Sequence, residues 1–346
     1  MPGRGWIVAA VVVLGLAASA GAGGAAGEVT VEGNRFYRDG APWIAEGVTL
    51  VALVSPEARW EKMPTYAAAR AAFGSGMLDE VGRFGADLVR YQVSQYGLDP
   101  KSKDFDPAYR DDVLAGIAAT RAAGYSVIVS MQWQGAAGRP DRTGLPSATT
   151  RRAWREILPA FAEDRRVMLE LFNEPAIGRS RPEDWKTWVK TTQPLIDMLR
   201  RAGSRNVLLA GGVRYARSFD GVRLLDDPLG QLGYAVHPFL GPHNQTRKQW
   251  ELNFGDLSET HPVIATAFNA QAGGRYCRPE LPEQTADLLD YLDEKQIGLV
   301  AWALDMPNLR QADGSYTTLD DLVCGKRSEG GSGGAGEMIH EYFLAN

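Results

Sequence analysis

The chain has 346 residues, 45% hydrophobic and 23% charged, a globular composition with enough apolar material for a core that needs no staple. The net charge is −5 and no basic block occurs, which argues against a nucleic-acid partner. The length fits two average domains, but α/β barrels of this size commonly form one.

The first element is not part of a fold. Arg4 gives a positive start, Trp6 to Leu16 form a short apolar run, and Ala18-Ser19-Ala20 is a small-residue cleavage pattern. This is the pattern of a secretory signal peptide, too short to span a bilayer. Residues 1–26 are therefore expected to be signal and spacer, and 27–346 a single barrel domain that is secreted or periplasmic. No other stretch reads as membrane-spanning.

Val29 to Trp43 reads as a hairpin, with turns at Gly33-Asn34 and Asp39-Gly40. Eight short apolar strands follow, at Ile44–Leu53, Asp87–Val93, Ser126–Met131, Val167–Phe172, Asn206–Ala210, Gly233–His237, Pro262–Ala267 and Ile297–Trp302. Between them lie helical patterns, including Pro107–Ala123, Ser147–Glu163, Pro182–Ala202 and Pro282–Gln296, with Gly124 and Gly203 at helix ends. Alternating βα units with continuously apolar strands predict an α/β fold, a (β/α)8 TIM barrel with the hairpin at its bottom. Arg214 to Leu232 shows little helical pattern. Gly325 to Gly336 reads as a flexible loop before a last helix, Glu337 to Leu344. Cys277 and Cys324 each follow one of the last two strands. In an exported chain they are disulfide candidates that would tie two loops at one barrel mouth, two free thiols being the alternative.

In such barrels the working residues stand at the C-terminal strand ends. There the sequence offers Arg90 and Gln92, Gln132-Trp133, Asn173-Glu174-Pro175, His237-Pro238-Phe239, Ala267-Phe268-Asn269, Trp302 and Asp305. The sharpest signal is Asn173-Glu174-Pro175, reached from an apolar run. A carboxyl among apolar neighbours can hold a raised pKa and act as a general acid, and the adjacent amide can hydrogen-bond a sugar hydroxyl.

On these residues the chain resembles glycoside hydrolase family 5, the cellulase-like family, or a close relative in the same clan, over roughly 29 to 344. The resemblance implies that Glu174 is the acid/base, Asn173 binds the sugar 2-hydroxyl, Arg90 supports the nucleophile, His237 stands at the subsite and Trp302 floors it. It also implies a polysaccharide or oligosaccharide substrate with β-linked O-glycosidic bonds, and cellulase-like retaining endo-hydrolysis.

The departures fall on the second carboxylate. The family carries a nucleophilic glutamate in a strand-seven pattern like Pro-Val-Ile-x-Thr-Glu-Phe/Trp-Asn. Here the segment is Pro262-Val263-Ile264-Ala265-Thr266-Ala267-Phe268-Asn269, so Ala267 occupies the nucleophile position. The family's strand-six tyrosine is Phe239, and a strand-three histidine is Gln132. A retaining glycosidase needs two carboxyls, and losing the nucleophile costs orders of magnitude in rate. Three readings stand open: a nucleophile removed by replacement to trap substrate, a glycan-binding protein that kept the cleft, or a second carboxylate moved to Asp305 or Glu46. The accompanying loss of the tyrosine favours natural divergence over a single replacement.

Trp133 and Trp302 are placed to stack on sugar rings, with Trp60, Phe239 and Tyr215 as further wall, whereas Trp154 and Trp188 belong to helix packing. His243, His261 and His340 read as surface residues. No pair of histidines has metal-ligand spacing, so neither a catalytic metal nor another cofactor is expected.

Overall fold

The computed structural model describes residues 27–57, 64–135, 137–138, 143–274, 277–320, 322–324 and 333–346. The first 26 residues, Trp60 and most of the Gly/Ser-rich stretch lie outside the described residues.

The chain opens with three short antiparallel strands, β1 (Val29–Glu32), β2 (Arg35–Arg38) and β3 (Ala41–Pro42). Then come β4 (Glu46–Leu50), β5 (Leu88–Ser94), β6 (Ser126–Gln132), β7 (Val167–Glu170), β8 (Leu208–Gly211), β9 (Leu232–Val236) and β10 (Val263–Phe268). A two-residue strand, β11 (Gly273–Gly274), precedes β12 (Gly298–Ala301), and β13 (Val323–Cys324) pairs with β11. Strands β4 to β10 and β12 form a closed parallel barrel in chain order, so all eight expected strands and the TIM-barrel architecture are present.

The strand pattern explains how the barrel is filled. Alternate residues of a strand point to opposite faces. Leu88, Ile128, Met168, Leu209, Ala235, Ile264 and Val300 form one apolar cluster together with Val29, Val31 and Phe36 of the hairpin. Their neighbours Val89, Val127, Leu169, Leu208, Val236, Ala265 and Leu299 belong to the larger cluster shared with the helices. The hairpin therefore plugs the barrel bottom. Gly233 makes room for the plug, because a Cβ there would stand 2.6 Å from the Phe36 ring. The hairpin is held from outside by Asp87, which accepts from Arg38 and from the Trp43 indole, each at 2.7 Å.

The helices follow their sequence signals. Asp106 caps Pro107–Ala122 by accepting from the Ala108 amide at 2.9 Å, and Pro182–Arg201, Leu281–Glu294 and Gly336–Ala345 stand where expected. Gly124 and Gly203 end their helices at φ +95° and +88°. The helix expected over Ser147–Glu163 is shorter, Ala148–Ile157, and passes into a tight turn at Leu158–Ala160, where Pro159 cannot donate to the α-helical ladder. After β8 only one turn, Val213–Ala216, replaces the usual crossover helix, and Arg214, Tyr215 and Ala216 all have left-handed φ. Cys277 and Cys324 form a disulfide with a Cα–Cα distance of 4.9 Å, joining the loops after β10 and β12.

Candidate active site

The polar layer of the site is the next inward-facing row above the apolar plug. Two residues beyond Leu88, Ile128 and Met168 come Arg90, Ser130 and Glu170, all fully buried. Arg90 grips Glu170 with two bonds, Nε to Oε2 at 2.7 Å and Nη2 to Oε1 at 2.8 Å, and also donates to Ser130 and Asn173. Burial pushes the Glu170 carboxyl up, but the charge and hydrogen bonds of Arg90, helped by His237, hold it well below the usual carboxylate range. Arg90 thus supports the wall of the site through Asn173.

Glu174 stands four residues past Glu170, with φ +53° at the turn that leaves the barrel. Its Oε2 accepts from Gln134 at 2.6 Å and its Oε1 faces His237 Nδ1 at 3.0 Å. The other ring nitrogen of His237 meets Thr266 Oγ1 at 3.1 Å, with Glu170 Oε1 at 3.7 Å. Burial pushes the His237 imidazolium down, but Glu170 and Glu174 outweigh it, so its pKa lies above the ordinary histidine value.

The same contacts correct one expectation. Burial does push the Glu174 carboxyl up, yet the hydrogen bonds from His237 and Gln134 and the charges of His237 and Arg90 hold it below the ordinary glutamate value. The apolar setting suggested by sequence is overridden by polar partners from β6 and β9.

Above this layer opens a cavity of about 410 Å³. Gln92, Gln132, Asn173 and Glu174 form one side, and His237, Phe239, Ala267 and Trp302 another. Asn173 is already engaged: its Nδ2 donates to Gln132 at 3.1 Å and to Gln134 at 2.9 Å. Ala267 is 3% exposed and sits where the pairing of β10 with β12 shifts register between Ala265 and Phe268. That bulge lets Thr266 reach His237 while Ala267 borders the cavity. Phe239 packs edge-on against Trp302 at 6.5 Å between ring centroids.

Several expected residues lie elsewhere. Trp133 is buried, stacks on Phe172 at 5.9 Å and donates to the Asn173 carbonyl at 2.8 Å, so it braces the strand end and does not line the cavity. Asp305 spends both carboxylate oxygens on the backbone amides of Val51 and Ala52, each at 2.9 Å, and lies outside the cavity wall; burial lifts its pKa to about 7. Glu46 begins β4, at the opposite end of the barrel. Tyr215 is exposed and is not part of the wall. Trp154 and Trp188 are buried as expected, and His243 is exposed. His261 and His340 are half-buried rather than on the open surface, because each packs against an aromatic ring, Tyr234 of β9 and Tyr316 of the loop after β12.

Sequence reasoning missed Glu170, Gln134, Tyr66, Arg217 and Gln271, the last four of which line the cavity. Glu170 carried a usable signal: a lone acid within Val-Met-Leu-Glu-Leu-Phe is buried on both faces of a barrel strand and demands a cationic partner.

A closed parallel barrel with a carboxylate, an imidazole and an indole around one cavity at its C-terminal end is a TIM barrel with a ligand-sized cavity on the face where such barrels carry their active sites. The profile described as "Cellulase (glycosyl hydrolase family 5)" matches residues 55–307, and the chain belongs to that family. Among solved structures it resembles a β-glucanase from Saccharophagus degradans in complex with cellotetraose, with a TM-score of 0.66 and 18% identity over 92% of this chain and 93% of that one. The catalytic domain of an endoglucanase from Thermobifida fusca gives 0.64 and 17% over 92% and 97%. A β-mannanase from Streptomyces thermolilacinus gives 0.56 and 17% over 86% and 89%. No curated protein matches at the level of sequence.

Proposed function

We propose that the chain binds a β-linked polysaccharide or oligosaccharide in this cavity, with Glu174 as the acid/base group and Ala267 at the position of the family nucleophile. The observation that carries this reading is Glu174 itself, clasped between Gln134 and His237 where the cavity is walled by Trp302 and Phe239. The neighbours crystallised as a β-glucanase and a β-mannanase favour a neutral glucan or mannan backbone as the first substrates to try.

As written, the site favours binding over retaining hydrolysis. Among the described wall residues Glu174 is the one carboxylate, and both sequence candidates for a relocated partner, Asp305 and Glu46, lie away from the cavity. The second carboxylate has two duties in a retaining enzyme. It attacks the anomeric carbon, and its negative charge raises the pKa of the acid beside it. Without it, Glu174 answers mainly to the positive side of its surroundings, which matches its lowered pKa. An ionised Glu174 accepts hydrogen bonds from sugar hydroxyls but has no proton to give a leaving group.

The test is a product assay of the parent chain, Ala267→Glu and Glu174→Gln on β-glucan and β-mannan oligosaccharides. Ala267→Glu should raise hydrolysis by at least about a hundredfold. No gain in the folded variant would overturn this reading of position 267. Turnover by the parent that disappears in Glu174→Gln would make it an enzyme rather than a binding protein. We further propose export through residues 1–26, which predicts that the secreted chain begins near residue 21 to 27 by intact mass.

A further inference from the structure

Arg217 follows the left-handed run at Arg214, Tyr215 and Ala216 that replaces a crossover helix. That loop is pinned on both sides. The Tyr215 amide donates to the Pro175 carbonyl at 2.9 Å, one residue past Glu174, and the His237 amide donates to the Ala216 carbonyl at 2.7 Å. The backbone that carries Arg217 is therefore fixed against the two polar residues at the centre of the site, and Arg217 lines the cavity.

The Arg217 Nε is buried without a hydrogen-bond partner, and among the described residues the side chain forms no ion pair. Arg90, fully buried beneath the same site, also keeps one nitrogen, Nη1, without a partner. The available carboxylates are committed: Glu170 to Arg90, and Glu174 to His237 and Gln134. Among the described residues Arg217 is thus a cation of the wall without an ion-pair partner, on a chain whose net charge of −5 gives a polyanion no general attraction.

We propose that the cavity selects glycans bearing a carboxylate, the uronic acid residues of an acidic polysaccharide, with the carboxylate meeting the fork of Arg217. This rests on the reading that the cavity holds a glycan. A planar guanidinium matches a carboxylate with two parallel bonds, and partial burial strengthens them over a surface contact. Trp302 and Phe239 would meanwhile offer apolar faces to the sugar ring.

The experiment compares, by calorimetry on the full chain, a β-linked uronic acid oligosaccharide and its carboxyl-reduced neutral counterpart, using the parent, Arg217→Gln and Arg217→Lys. The parent should bind the acidic ligand about tenfold or more tightly than the neutral one, the worth of a charge-assisted pair. Arg217→Gln should abolish that preference, and Arg217→Lys should keep part of it. Neutral ligand bound as well as acidic, or an unchanged preference in Arg217→Gln, overturns the proposal while leaving the glycan-binding reading intact. Binding of neither ligand overturns both. Should Arg217→Gln fail to fold, the parent's own ratio of the two affinities decides.

Discussion

Replacing Glu170 by Gln tests whether the site stands on its buried ion pair. Both partners are fully buried, and Glu170 accepts two bonds from Arg90 at 2.7 and 2.8 Å. The substitution keeps the shape but leaves the Arg90 charge uncompensated, with one amide NH2 now facing a donor. The two charge-assisted bonds, at about 1.5–3 kcal/mol each, set an upper limit near 3–6 kcal/mol, since the remaining amide oxygen can still accept one of them. Breaking one side of a buried pair independently suggests about 3–5 kcal/mol. Unfolding entropy of about 2.1 cal/mol/K per residue, over the roughly 320 residues from Gly27 onward, converts that range to a fall in Tm of about 5–7 °C. Urea and thermal unfolding by circular dichroism measure it. The paired change Arg90→Met with Glu170→Leu should recover much of the loss, because an apolar pair of similar volume carries no desolvation cost. A Glu170→Gln variant that loses less than about 1 kcal/mol would refute the assignment of the pair as the support of the polar layer.

The Glu174–His237 contact should be present in its charged form in a limited pH window. Glu174 has a lowered pKa, so its contribution exists above about pH 4.5 and is lost as pH falls through its folded value; His237 has a raised pKa, so its contribution is complete below about pH 6.5 and is lost as pH rises through its folded value. The His237 ring, followed by NMR, should therefore titrate above the ordinary histidine value in the parent and move down in Glu174→Gln; a parent ring titrating below it would contradict the contact. The disulfide closes a sequence separation of 47, for which chain entropy gives up to about 4 kcal/mol. Cys277→Ser should lower the urea midpoint accordingly, and an unchanged midpoint would mean that the loops are held without the bridge.

The barrel was readable because its strands are short, continuously apolar and separated by capped helices, signals that depend only on neighbours in sequence. Glu174 was readable for a similar reason, since Asn173-Glu174-Pro175 interrupts an apolar run at a strand end. What sequence could not provide were contacts between strands. Trp133 has the residue type of a sugar platform, yet Phe172 and the Asn173 carbonyl claim it. Asp305 has the residue type of a second catalytic acid, yet two backbone amides from β4's exit bind both oxygens. Arg217 escaped notice because it lies in the stretch with least periodicity, where three left-handed residues, none of them glycine, set the chain path.

The pairing pattern also bears on what Ala267 means for the whole site. If only one side chain had been shortened, the layer below would be expected to hold its charges in the old arrangement, with a vacancy at one point. Here the layer is closed on itself: Arg90 is satisfied mainly by Glu170, and His237 bridges Thr266 and Glu174. Phe239, an apolar ring, leans on Trp302 and Phe268 and asks for no polar partner. The surroundings of position 267 are thus largely consistent with an apolar residue there; among the described residues the buried atoms left without a partner near it are Arg90 Nη1, Arg217 Nε and the Thr49 hydroxyl, which stands opposite Arg90 in the β4–β5 register. Beside Glu174 and the side-chain amides of Gln92, Gln132 and Gln134, which can accept from sugar hydroxyls, Arg90 and Arg217 nitrogens that have no partner among the described residues favour a ligand that also brings negative charge.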